Sequence, residues 1–169
     1  MIKRSLFLVL ALVLCLGLFG CSNSAEPEID ESGHSKPMED MSVVSDSSLT
    51  AVVVAKADDG ITLEITNSGN DNTVAATFTS AKMGGREYQI NQTEYDKSPL
   101  SIVRVGEEGK TVNLSLPPND FARVKVSSSD LSHAEDYDNV DLAFNETYMG
   151  DNGPITKTNR LISIKNARV

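Results

Sequence analysis

The sequence predicts an all-β domain, an immunoglobulin-like antiparallel β-sandwich of about eight or nine strands. After residue 48, short runs of β-branched residues recur between turn signals spaced 8 to 15 residues apart, as expected for antiparallel sheets. Helical periodicity is almost absent from the same stretch. Because the runs differ in length and some connections between them are long, two packed sheets are favoured over a closed barrel. The term immunoglobulin-like refers to architecture alone, since no Cys and Trp pair is present.

The candidate strands are, in chain order, 49–56, 61–66, 74–83, 87–91, 100–105, 111–116, 121–126, 140–148 and 160–165. The first of them ends at Asp58-Asp59-Gly60, where a glycine that tolerates positive φ favours a hairpin. In the second, Ile61, Leu63 and Ile65 alternate with polar residues. This alternation predicts a strand with one buried face and one face in water.

Polar and glycine-containing turns bound the next two strands. The segment 67–72 is a polar turn, and Gly84-Gly85 is a second hairpin signal. Asn, Asp and Gly favour turns for local hydrogen-bonding and steric reasons. In the short strand that follows the glycines, alternation directs Tyr88 and Ile90 to the core.

The later strands end at residues that interrupt sheet pairing. Segment 106–110 is a turn, and Pro117-Pro118 ends the strand before it because proline cannot donate to a ladder. Only segment 130–136 indicates a helical turn, with Ser129 or Asp130 as its cap. Everything else in this region favours strands.

A basic start and an apolar run precede a cysteine at position 21. Lys3 and Arg4 are followed by the apolar stretch from Leu6 to Leu18. The stretch is shorter than the ~20 apolar residues of a spanning helix, and it has the length of a signal-peptide core. Residues 1–20 are therefore predicted to be a signal peptide that is removed.

The sequence Leu18-Phe19-Gly20-Cys21 resembles the bacterial lipobox, which has an aliphatic residue three positions before a cysteine and a small residue directly before it. The resemblance implies cleavage after Gly20 and a diacylglycerol group on the Cys21 thiol. It also implies a protein held at the cell membrane, outside the cytoplasm. Each buried methylene contributes about 0.8 kcal/mol, so two or three acyl chains hold a protein firmly. An ordinary secretory signal is the alternative.

Segment 21–48 is predicted to be a lipidated cysteine followed by a disordered acidic tether, because Ser, Glu and Asp dominate and aromatic residues are absent.

Loss of residues 1–20 leaves 13 basic and 24 acidic residues, a formal charge of −11. Nucleic acid repels such a chain and is not an expected partner. Cys21 is then the only cysteine, so neither disulfides nor a thiolate metal site is expected. The β-sandwich is predicted over 49–169.

A second resemblance concerns the order of turns within the domain. A strand ends in Thr66-Asn67-Ser68-Gly69, the hairpin Gly84-Gly85 is followed by Tyr88, and a Gly106-Glu107-Glu108-Gly109 turn comes before a strand that ends at Pro117. This order resembles the immunoglobulin-like domain of uncharacterised bacterial surface lipoproteins. The resemblance supports the fold and implies no activity.

Catalytic residue patterns are poor. The two histidines are His34, in the predicted tether, and His133. Ser129, His133 and Asp136 are residue types of a catalytic triad, but no nucleophile elbow surrounds the serine. We therefore expect no enzyme; an extracytoplasmic hydrolase that depends on His133 is the less favoured alternative.

Acidic residues crowd one loop and offer hard oxygen ligands for calcium. They are Asp130, Glu135, Asp136, Asp138 and Asp141. Their spacing is not that of an EF-hand, so a solvated acidic loop is favoured and no cofactor is expected. Asp136 and Asp138 remain weak metal candidates. A calcium-binding or small-molecule-binding envelope protein is accordingly the main alternative function.

Two features bear on a protein partner, which we expect to be another envelope protein. The apolar run Ala51 to Ala55 is either central and buried or an edge open to β-augmentation. Burial is favoured because unprotected apolar edges aggregate. Tyr95, Tyr137 and Tyr148 either anchor a partner or close the core with their hydroxyls at the surface.

Overall fold

The computed structural model describes residues 27–166, and these form an all-β domain. The predicted lipidation site at Cys21 lies outside the described residues. The ten strands are β1 Met41–Ser45, β2 Leu49–Ala57, β3 Gly60–Asn67, β4 Val74–Met83, β5 Arg86–Gln89, β6 Leu100–Arg104, β7 Asn113–Leu116, β8 Phe121–Ser128, β9 Asn139–Gly150 and β10 Gly153–Asn166. Two short 3-10 helices, Tyr95–Lys97 and Ala134–Tyr137, lie in the connections.

The strands form two antiparallel sheets. Sheet I has the order β1-β10-β9-β4-β5, and β7 also pairs with β4. Because β7 pairs with the first part of β4 and β5 with the last part, the two short strands share one edge of that strand. Sheet II has the order β2-β3-β8-β6. The predicted two-sheet antiparallel sandwich is confirmed.

Alternating side chains from both sheets form one core. Along β8, for example, Ala122, Val124 and Val126 are buried between less buried neighbours. Phe78 of β4 and Phe144 of β9 meet edge to face with ring centroids 6.3 Å apart. Burial of each large apolar side chain stabilises the fold by about 1.5–3 kcal/mol.

The strand positions predicted after residue 48 are confirmed, with differences at the ends. The fourth strand runs from Val74 to Met83 as predicted, whereas β10 begins seven residues earlier than the predicted 160–165. That added part pairs with β9 beyond the core and is mostly exposed. It lacks alternation for that reason, and a register shift between Lys157 and Arg160 interrupts it.

The described part of the segment predicted to be a tether differs from that prediction. β1 pairs with β10 along its whole length, from Met41 opposite Asn166 to Ser45 opposite Ile162. Val43 packs against the core. One or two apolar side chains suffice here because the sheet already supplies the backbone hydrogen bonds. The domain therefore begins before residue 49.

The expectation that the run Ala51 to Ala55 is central is wrong, since β2 lies at the end of sheet II and pairs with β3 alone. Its edge is nevertheless covered. The backbone nitrogen of Met38 donates to the Val53 carbonyl at 2.8 Å. A register shift between Val53 and Ala55 further interrupts the edge, as in other sheets that avoid edge-to-edge pairing.

The predicted helical turn is present as the 3-10 helix Ala134–Tyr137. Its N-cap is His133 rather than Ser129 or Asp130. The helix begins after His133 because the Asp136 carboxylate accepts a hydrogen bond from the backbone nitrogen of His133, as in a capping box. The helix Tyr95–Lys97 had no sequence signal that we recognised.

Candidate functional site

Cys21, the residue on which the predicted lipid anchor rests, lies outside the described residues. The described chain begins at Pro27, six positions later. Between residues 27 and 166, no helix has the length and apolar character needed to cross a membrane.

The acidic loop binds its own chain. The Asp136 carboxylate accepts hydrogen bonds from the backbone nitrogens of Ser132 at 3.3 Å and His133 at 3.4 Å. Asp138 forms an ion pair with Lys56 and accepts from the amide of Asn166 at 3.3 Å. The two weak metal candidates thus have separate partners. Among residues 27–166, no group of three or more His, Cys, Asp or Glu side chains converges as a metal site would require.

The three residues of the possible triad all take part in backbone contacts. His133 caps the 3-10 helix, and Asp136 accepts from its backbone nitrogen. The backbone nitrogen of Ser129 donates to the carbonyl of Pro99 at 3.2 Å. Asp136 therefore orients a loop and not a histidine ring.

Two of the three tyrosines close the core, and their hydroxyls are buried rather than at the surface. The Tyr95 hydroxyl accepts from the backbone nitrogen of Ile102 at 2.6 Å, and burial raises the pKa of Tyr95 to about 12. The Tyr137 hydroxyl donates to the Ser128 carbonyl at 3.3 Å, and burial likewise raises the pKa of Tyr137. Tyr148 is only partly buried, with Lys157 Nζ 5.0 Å from its ring centroid.

A buried charge cluster on the outer face of sheet II was not predicted. It centres on Glu64 of β3, which is 3 % exposed. Glu64 Oε1 lies 2.7 Å from Nδ1 of His34, and Oε2 accepts from the backbone nitrogen of Ser35 at 2.9 Å. On the neighbouring strand, Arg123 Nε donates to the same Oε2 at 3.1 Å. Both carboxylate oxygens are therefore bound.

Arg123 also holds the N-terminal segment directly. Its Nη2 donates to the Gly33 carbonyl at 2.6 Å, and its Nε lies 2.5 Å from Ser35 Oγ. Phe121 contacts both side chains, with its ring centroid 4.4 Å from that of His34 and 5.1 Å from Arg123 Cζ.

Electrostatics favour the ionised form of Glu64. Burial raises the pKa of this carboxyl, but the hydrogen bonds from His34 and Ser35 together with the Arg123 charge outweigh burial and hold the pKa below its ordinary value. A carboxylate bound in this way is a structural anion. It can fix a segment of chain, and it presents no free oxygen to a ligand.

Sequence reasoning missed this cluster because Glu64 alternates with Thr62 and Thr66, a pattern that predicts a face in water. The one available signal was the opposite charge of Arg123, which the structure places directly across from Glu64. The contact with His34 spans 30 positions in sequence. No local pattern encodes such a contact.

A shallow polar depression of about 450 Å³ lies between the ends of β6 and β8. Five serines line it, together with Pro99, Leu131, Asp59 and Lys110. Lys110 Nζ donates to the carbonyls of Ser98 at 2.6 Å and Tyr95 at 3.1 Å. The lysine thereby joins its own loop to the loop that precedes β6. The depression offers hydroxyls to solvent and has no enclosed reactive centre.

Comparison of the chain with models of protein families, with curated proteins and with solved structures gives no match.

Proposed function

We propose that this protein is a lipid-anchored extracytoplasmic bacterial lipoprotein whose β-sandwich is a non-enzymatic interaction or accessory module of the envelope. One observation carries the proposal: a basic start and an apolar run lead into Leu18-Phe19-Gly20-Cys21. That order matches the requirements of lipoprotein export, a small residue at the cut and a thiol to acylate. The acidic, cysteine-poor remainder suits an envelope location.

The contacts of His34 and Glu64 support the non-enzymatic part of the proposal. His34 contacts Glu64, and His133 caps a helix. Glu64 itself has both oxygens bound. A general acid or base needs reach to a substrate proton, whereas the His34 ring and the Glu64 carboxylate contact each other.

Lipidation is tested by metabolic labelling with a palmitate analogue in the native cell. Cys21→Ser is expected to abolish the label, because the acylated thiol is gone. Cys15→Ser is the matched control: it lies in the apolar run and should leave the label unchanged. Equal labelling of the Cys21→Ser chain and the unaltered chain would overturn the assignment.

The interaction role is tested by photo-cross-linking in intact cells. The β9–β10 hairpin carries two exposed apolar side chains, Met149 (60 % exposed) and Ile155 (43 %). A photoreactive residue at Met149 is expected to capture a specific envelope protein. The control position is Ser115, an exposed polar residue of β7. Equal capture at both positions, or no capture at either, would count against this surface.

A further inference from the structure

Residues 27–38 form a small folded unit, here named the strap, that lies on the outer face of sheet II. The Asp30 carboxylate organises its turn by accepting from the backbone nitrogens of Ser32 at 2.8 Å and His34 at 3.1 Å. An isolated antiparallel bridge joins Ile29 and Ser35. These contacts are local, so the strap holds its own turn without help from either sheet.

The strap's docking depends on very few groups. Glu64 and Arg123 make the polar contacts to His34, Ser35 and Gly33. Among the described residues, the backbone hydrogen bond from the strap to a strand of sheet II is that of Met38 to Val53. The apolar residue Ile29 is 60 % exposed. At the other end of the strap, Met38 is partly buried against the core, so apolar contact adds to the charge contacts at that end only.

The other charges near Glu64 do not replace these contacts. On β8, Lys125 forms an ion pair with Asp59, and on the strap Lys36 lies 3.5 Å from Glu28 in an exposed pair. The position of β2 opposite Glu64 is the uncharged Val52. Arg123 and His34 are therefore the groups that face the carboxylate.

We propose that the strap is a detachable latch, closed by ionised Glu64, whose release frees residues 27–40 and uncovers the edge of β2. Protonation of Glu64 would leave Arg123 without its counter-charge and weaken both of its links to the strap. β1 stays in place because antiparallel pairing with β10, not Glu64, holds Met41–Ser45.

Release has two consequences. If Cys21 carries lipid, which rests on the proposed function, the released residues 27–40 can extend to at most about 45 Å between membrane and sandwich. The second consequence is independent of lipid: the Val53 carbonyl loses its donor, and the end strand of sheet II becomes open to pairing.

The latch is tested by hydrogen exchange of the full chain in detergent micelles, resolved by peptide and corrected for intrinsic rates. Glu64→Gln keeps the side-chain shape and removes its charge. At pH 7 it should lower protection of residues 28–38 about tenfold or more, because charge-assisted hydrogen bonds are lost. Peptides from β3 and β8 should stay far more protected than the strap, and their own loss should not exceed the roughly 5–30-fold that the fall in global unfolding free energy allows.

The matched control is Glu28→Gln, which removes an exposed strap carboxylate and should leave protection unchanged. In the unaltered chain, strap protection should fall toward that of Glu64→Gln as pH is lowered from 7 to 3. Equal strap protection in both chains at pH 7, or strap peptides as protected as those of β3 and β8, would overturn the latch. Neither result depends on lipidation, which the palmitate label measures separately.

Discussion

Two buried glutamates differ in what covers them. Glu64 is 3 % exposed on the outer face of sheet II, beneath the strap, and both of its oxygens are bound. Glu146 of β9 is fully buried between the sheets, where Oε1 accepts from the hydroxyl and backbone nitrogen of Ser48. Oε2 of Glu146 has no hydrogen-bond partner among the described residues.

The difference teaches that burial alone does not measure the cost of changing a charged residue. A group under a detachable cover can regain water by local opening, and the loss is limited to the free energy of that opening. A group enclosed by both sheets regains water only when the domain unfolds. Substitution of Glu146, the carboxylate with fewer hydrogen bonds, should therefore lower the free energy of unfolding more than substitution of Glu64.

The largest effect is expected at the enclosed site. Glu146→Ala should lower the free energy of unfolding by about 2–4 kcal/mol, because it leaves a cavity and removes the acceptor of Ser48. Urea denaturation measures it. Glu146→Gln retains an acceptor oxygen and is the control, with an expected loss of under about 1 kcal/mol. Similar values for both variants would show that Ser48 contributes little.

A smaller global effect is expected beneath the strap. Glu64→Gln should lower the free energy of unfolding by about 1–2 kcal/mol at pH 7. A loss larger than that of Glu146→Ala in the same denaturation series would reverse the comparison.

The pH dependence of Glu64 has a definite sign. Its pKa is lowered in the folded protein, so its stabilising contribution is present above its ordinary pKa of about 4.3 and is lost as pH falls through the lowered value. The difference in unfolding free energy between the unaltered chain and Glu64→Gln should shrink over that acidic window. A difference that stays constant from pH 7 to pH 3 would contradict this.

A neutral buried group gives a third point for the comparison. Tyr95→Phe should lower the free energy of unfolding by about 1 kcal/mol, because the backbone nitrogen of Ile102 loses its acceptor. With a pKa of about 12, Tyr95 stays protonated across the range in which the glutamates titrate. Its effect should therefore be independent of pH from 4 to 8, and a slope there would argue against a purely neutral contact.

The smallest effect is expected in the acidic loop. Asp136 binds backbone nitrogens and Asp138 binds Lys56, so millimolar calcium should shift the melting temperature by less than about 1 °C. A clear rise that Asp138→Asn abolishes would instead favour the calcium-binding alternative. Magnesium at the same concentration is the control for ionic strength.

The strands that alternation marked were predictable because one buried face imposes a period of two on the sequence. Ile61, Leu63 and Ile65 are buried as expected, and so is Tyr88. β1 was not predictable in this way, since its short run joins an existing edge and needs few apolar residues. The edge position of β2 was also misjudged, because a strand covered by a segment from elsewhere in the chain is as apolar as a central one.

The sequence by itself determined the composition of the core and the turns, because each depends on neighbouring residues or on a short period, and it supplied the residue order on which the proposed lipid anchor rests. Only the tertiary structure decided which charges are structural. Glu64 meets His34 and Arg123, and Glu146 meets Ser48, across 30, 59 and 98 positions of sequence. Such pairs form when two sheets and a strap pack together, and no local pattern records them.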